Sequence, residues 1–144
     1  MTVLAHMAVG AAAGSLVGGR GAAFGLGVVS HVALDIIPHY EFERIWIEVS
    51  AVLLFFGTML VLGQGASPIF WGALGAVLPD TENFLWRMGL IPGSRKCFPG
   101  HSKRLSRWLP HGRSLAVRYA WWQVAIVGAA ALVVLWKMSG VRPT

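Results

Sequence analysis

The run IWIEVSAVLLFFGTMLVL at residues 45–62 carries one charged residue, Glu48, and is otherwise almost wholly apolar. A helix that crosses a bilayer needs about 20 mainly apolar residues, within a working range of about 17–25. The run therefore predicts a transmembrane helix. Working outward, four more apolar segments stand at residues 2–17, 22–37, 68–88 and 114–138. Gly18, Gly19, Arg20 and Gly21 make one turn, and residues 63–67 make another. Pro38 ends the second segment because it lacks an N–H and strains the preceding turn. Pro68 suits the first turn of the fourth. The prediction is an all-α polytopic membrane protein, a single domain over residues 1–144, with about five transmembrane helices and a basic cytoplasmic loop at 89–113.

Composition points the same way. Of 144 residues, 56% are hydrophobic and 12% charged, about half the charge fraction of an ordinary soluble domain. The net charge of +6 does not indicate nucleic acid, because the uncharged runs are long enough for lipid. The single Cys97 excludes an internal disulfide and a multi-cysteine zinc site, and it reads as a loop thiol. The first residues lack a basic stretch, and His6 lies where the apolar segment begins, so they do not read as a secretory signal.

Five alternating spans sort the charges. Of the twelve basic residues only Arg20, Lys137 and Arg142 fall on the side opposite the long loop. The positive-inside rule then predicts a multi-pass protein of the cell inner membrane with a cytoplasmic N-terminus. All six acidic residues and all five histidines fall on the same half. The basic segment is expected to meet anionic membrane lipid. LSRWLPHGRS, residues 105–114, reads as a short interfacial helix anchored by Trp108. Membrane lipids and other membrane subunits are the expected partners, and nucleic acid is not.

Residues four apart share a helix side. The rows His6-Gly10-Gly14-Gly18, Gly27-His31-Asp35 and Gly72-Ala76-Asp80 each continue a small-residue stripe into an ionisable group. Small residues let helix backbones approach closely, so the packed stripes predict one buried cluster of His6, His31, Asp35 and Asp80. GVVSHVALD at 27–35 and GALGAVLPD at 72–80 form a faint repeat. His31 and Asp35, at i and i+4, can hold one metal ion from a single helix face. His6 and Asp80 can complete the ligand set, and His39 can fold back after Pro38. Mixed nitrogen and oxygen donors suit zinc first, with manganese or iron allowed by donor type. Glu82, two residues past Asp80, is a candidate general base for a metal-activated water.

His6, Ser30-His31-x-x-Leu34-Asp35, Leu78-Pro79-Asp80 and Gly100-His101-Ser102 together resemble a family of small inner-membrane proteins described as metal-dependent hydrolases. That family includes a LexA-binding inner-membrane protein. The resemblance covers about residues 1–105 and implies that His6, His31, Asp35, Asp80 and His101 belong to one site, with His101 assisting catalysis. Here SHVALD precedes LPD, and the family's HRGxTHS stretch is reduced to PGHS at 99–102. The order and the IPHY run at 37–40 match a short subgroup of that family.

Three functions follow as expectations. The first is a membrane-embedded, metal-dependent hydrolase acting on a lipid-like or phosphoester substrate at the cytoplasmic face, with Glu82 and His101 catalytic. The second is a non-catalytic structural subunit of a larger membrane complex, in which the cluster seals a helix junction. The third is haem or pigment ligation through His31.

Overall fold

A computed structural model describes residues 1–98, 100–102 and 111–140, with Tyr119 described by its backbone alone. The described residues contain six α-helices: α1 (Val3–Ser15), α2 (Arg20–Asp35), α3 (Ile45–Val61), α4 (Pro68–Val77), α5 (Asp80–Arg87) and α6 (Trp121–Met138). Short 3-10 turns lie at Gly93–Arg95 and Val117–Tyr119.

The all-helical reading stands, but the five transmembrane spans do not. Among the described residues, only α6 is both long and apolar enough to cross a bilayer. At 1.5 Å per residue, α1 is about 20 Å long, against about 30 Å of hydrocarbon. The segment at 68–88 is two helices, because Pro79 cannot continue the ladder of α4 and its ring strains the preceding turn. The segment at 114–138 becomes α-helical only at Trp121, since Ser114 pairs with His39 instead. The two-sided charge count presupposed five alternating spans and has no footing without them. The interfacial helix read at 105–114 falls largely outside the described residues, as do Trp108 and the basic side chains of Lys103, Arg104, Arg107 and Arg142.

Helices α1, α2 and α4 form the centre, α6 lies along α1, and α3 touches α1 more lightly. The centre is held by backbone approach rather than by large side chains. A Cβ on Gly14 would strike the Pro68 carbonyl and come within 2.9 Å of Gly72 Cα. One on Gly27 would strike the Gly72 carbonyl and come within 2.8 Å of Ala76 N. Gly18 lies beyond the end of α1 with open space around it, so the glycine row stops at Gly14. The two halves of the faint repeat lie against each other, with Gly27 on Gly72 and His31 on Ala76.

Around this centre Val3, Met7, Ala11, Ala73 and Val77 form a core into which Val52, Phe55 and Phe56 of α3 pack. Ser67 caps α4 by accepting from Phe70 N at 3.2 Å, with Pro68 in the first turn. Buried Gln123 joins the start of α1 to α6, accepting from Thr2 N at 3.2 Å and donating to the Tyr40 carbonyl at 3.3 Å. Outward faces are apolar: Leu53, Val61 and Val124 are 68%, 87% and 70% exposed.

Candidate metal centre

The C-terminal turn of α2 brings His31 and Asp35 to the place where α1 delivers His6 and the α4–α5 junction delivers Asp80. The loop after α5 adds His101. His6, His31 and His39 are fully buried, and Asp35 is nearly so. Four imidazoles surround the one Asp35 carboxylate. His6 Nε2 lies 3.0 Å from Oδ1, while His31 Nε2, His101 Nε2 and His111 Nδ1 lie 3.1, 3.2 and 3.2 Å from Oδ2. The Met1 amine also stands 3.2 Å from Oδ1.

Tautomers decide what these contacts mean. His31 Nδ1 lies 2.7 Å from the Ala76 carbonyl. A carbonyl only accepts, so the proton is on Nδ1, and a neutral ring has only a lone pair left at Nε2. That lone pair meets the Asp35 carboxylate. His101 repeats the arrangement, with Nδ1 donating to Glu82 Oε1 at 3.2 Å and Nε2 facing Asp35 Oδ2. Two acceptors face one acceptor with no proton between them. A second proton on a ring would fill the gap, with Asp35, Asp80 and Glu82 as counter-charges. A cation among the donors also resolves the conflict. Metal-bound histidines characteristically donate their other N–H to a carbonyl or carboxylate, as His31 and His101 do.

The buried atoms without a hydrogen-bond partner agree. They include both nitrogens of His6, Nε2 of His31 and Oδ2 of Asp80. His6 and His31 approach Asp35 closely but are not aligned for an N–H···O bond. Orphaned buried polar atoms call for an explanation, and an ion supplies one. Donors 3.0–3.2 Å apart fit bonds of about 2.0–2.1 Å to a shared zinc-sized ion. His6, His31 and Asp80 form one group able to hold a metal, and His31, Asp35 and His101 another. The buried His/Asp clusters can therefore hold a metal ion.

Burial suits His6 to this use. Burial pushes His6 down to about 4, so its ring is neutral, as a ligand must be.

The residues expected from sequence take different places. His6, His31, Asp35 and Asp80 come together, and His101 joins them as a donor. Glu82 is turned away from the free base position: its oxygens accept from Cys97 N, Phe98 N and His101 Nδ1 at 2.7–3.2 Å. It orients His101. His39 faces the other side of Asp35, grouped with His111. Cys97 is exposed, as a loop thiol.

Sequence reasoning assigned no role to His111, Glu41 or Glu48. His111 reaches the cluster because the chain at 112–115 pairs with 35–39, through Gly112 N to Asp35 O at 2.6 Å and His39 N to Arg113 O at 3.0 Å. Such pairing leaves no helical spacing to read. Glu48 is raised to about 7, by burial first and then by Asp80. The only sequence signal for it was a lone carboxylate in an apolar run.

A cavity of about 770 Å³ opens on this cluster. Asp80, His101 and His111 contribute its polar floor, while Val49, Val52 and Leu53 of α3 contribute an apolar wall. Glu48, Arg87 and Lys96 also line it. Arg87 is held by the Phe42 and Glu43 carbonyls, and Lys96 by Asn83 Oδ1 at 2.8 Å and the Trp86 ring at 3.8 Å. Neither cation has a carboxylate within ion-pair distance among the described residues.

The chain matches no protein-family model, no curated protein and no solved structure.

Proposed function

We propose that this protein is a metal-dependent hydrolase that cleaves a phosphoester in a lipid-like substrate. The observation that carries the reading is the convergence of His31 Nε2 and His101 Nε2, as lone pairs, on Asp35 at 3.1 and 3.2 Å. Zinc fits the nitrogen-and-oxygen donor set best, with manganese and iron next. The divalent ion supplies Lewis-acid activation of water, with a pKa near 7 in favourable sites.

The chain's own residues do the rest. His6, His31, Asp35, Asp80 and His101 hold the ion, and Glu82 fixes the His101 ring. Glu48, raised to about 7, is poised to accept and return a proton near neutral pH. Arg87 and Lys96 attract the anionic group, and the α3 wall takes the apolar part. The cavity lies within the range of small-molecule sites, about 300–1,000 Å³. The α6 helix and the exposed apolar faces of α3 and α6 favour membrane association, which suits an amphiphilic substrate. The family resemblance points to the inner membrane.

The test is hydrolysis of phosphate esters carrying acyl chains of increasing length by the zinc-loaded full chain. Turnover should rise with chain length, vanish with chelator and return with zinc. Arg87→Gln should raise KM several-fold with little change in kcat. No turnover of any ester by zinc-loaded protein would overturn the reading. The structural-subunit alternative draws on the same exposed apolar faces, and stoichiometric metal without turnover would select it. Haem ligation through His31 finds no support, because the His6 ring stacks on His31 at 3.9 Å.

A further inference from the structure

We infer that Asp35 is shared between two cation sites, and that His39, His111 and Glu41 form the second, which takes a divalent ion of the zinc class. This rests on reading the His31–Asp35–His101 cluster as a metal centre.

His39 is fully buried. Its Nδ1 lies 2.7 Å from the Ile37 carbonyl, which can only accept, so the proton sits there. Its Nε2 lies 3.0 Å from Glu41 Oε1, so both ring nitrogens face oxygen acceptors, and a second proton or a cation must lie between Nε2 and Glu41. This is the same acceptor-against-acceptor arrangement that marks His31 and His101. His111 Nε2 points to the same Glu41 oxygen at 3.2 Å, and its Nδ1, buried without an aligned partner, lies 3.2 Å from Asp35 Oδ2. Asp35, His39 and His111 can offer donor atoms that all lie within 4.8 Å of one another.

The backbone holds these donors in place. Gly112 N donates to the Asp35 carbonyl at 2.6 Å, His39 N to Arg113 O at 3.0 Å and Leu115 N to His39 O at 2.8 Å. Gly112 lies so close to the Ile37 carbonyl that a Cβ would collide with it. The two rings sit edge to face at 4.8 Å.

Sharing Asp35 joins the sites. Two ions about 3.5–4 Å apart can clamp both the attacking and the leaving oxygen of an in-line phosphoryl displacement. Glu41 and His111 line the same cavity as Asp80 and His101, so both ions would face one substrate. Such a pair suits the phosphoester proposed above.

The test uses the full chain, stripped of metal, reloaded with zinc and freed of loosely held ion. Zinc per chain should be about two in wild type and about one in both His39→Ala and Glu41→Gln. Glu41 is exposed, so its amide variant decides the matter if His39→Ala does not fold. Manganese-loaded wild type should give an exchange-coupled paramagnetic resonance spectrum, and Glu41→Gln that of an isolated ion. One zinc in wild type, kept by Glu41→Gln, would overturn the second site and leave the first standing. Two zincs kept in both variants would overturn the ligand assignment. No zinc in wild type would overturn both sites together.

Discussion

His31 and His101 each fix one ring nitrogen so that the other is presented, and Glu82 does this work for His101. Replacing Glu82 by Gln keeps the shape but removes the charge that raises the ring's donor strength. Zinc affinity should fall about 10–100-fold, read by competition with a chromophoric chelator; an unchanged affinity would mean that Glu82 only anchors the loop. Glu48 gives a pH prediction. Burial, then Asp80 and Glu41, raise its carboxyl from 4.5 to about 7, against the pull of Arg87 and the Val3 backbone. The folded state therefore binds this proton more tightly than the unfolded chain does. Its contribution is present below 4.5 and is lost as pH climbs through about 7. Glu48→Gln should match wild type near pH 4.5 and be more stable at pH 8, by about 1 kcal/mol after solvent screening. Denaturant midpoints at the two pH values check this, and equal gains at both would contradict it. Helix spacing made His6, His31, Asp35 and Asp80 legible, while His101, on a loop, was reached only through the family resemblance. His111 was not legible, since only backbone pairing across the fold brings it to Asp35.

Among the elements, the close crossing of α1 and α4 follows from the glycine stripe, and its limits follow from the helix ends. Gly14→Leu should destabilise by at least about 1–3 kcal/mol, because the new side chain must push into the Pro68 carbonyl and the Gly72 backbone. Leu16→Ala, at a side chain 56% exposed, should cost under about 0.5 kcal/mol. Thermal melts in one detergent compare the two, and equal effects would mean that the crossing does not depend on this glycine. Gly112→Ala should likewise destabilise the pairing that carries His111, since a Cβ there meets the Ile37 carbonyl. Apolar runs gave the helices their places but not their lengths. Run counting absorbed the turn residues into spans and passed over Pro79, which separates α4 from α5. Asp80 consequently opens a helix instead of lying within one.

At the scale of the whole molecule, the metal centre joins α1, the end of α2, the α4–α5 junction and the loop bearing His101. An ion bound there stabilises the folded state by mass action, about 2.7 kcal/mol at a hundredfold excess over Kd. Chelation should lower the melting temperature, and zinc should restore it. The convergence of the histidines and carboxylates was legible from the sequence even though the five-span frame used to reach it was not correct. Both frames place the ends of α2 and α4 together, because the Gly27 and Gly72 contact fixes that meeting point. The central claim is that Asp35 lies among metal donors instead of within a hydrogen-bonded junction. The direct measurement is metal content of the full chain purified without chelator, wild type beside Asp35→Asn, which keeps the shape and removes the charge. The account predicts stoichiometric metal in wild type and near loss of it in Asp35→Asn. Metal-free wild type, or occupancy that survives the substitution, would contradict it.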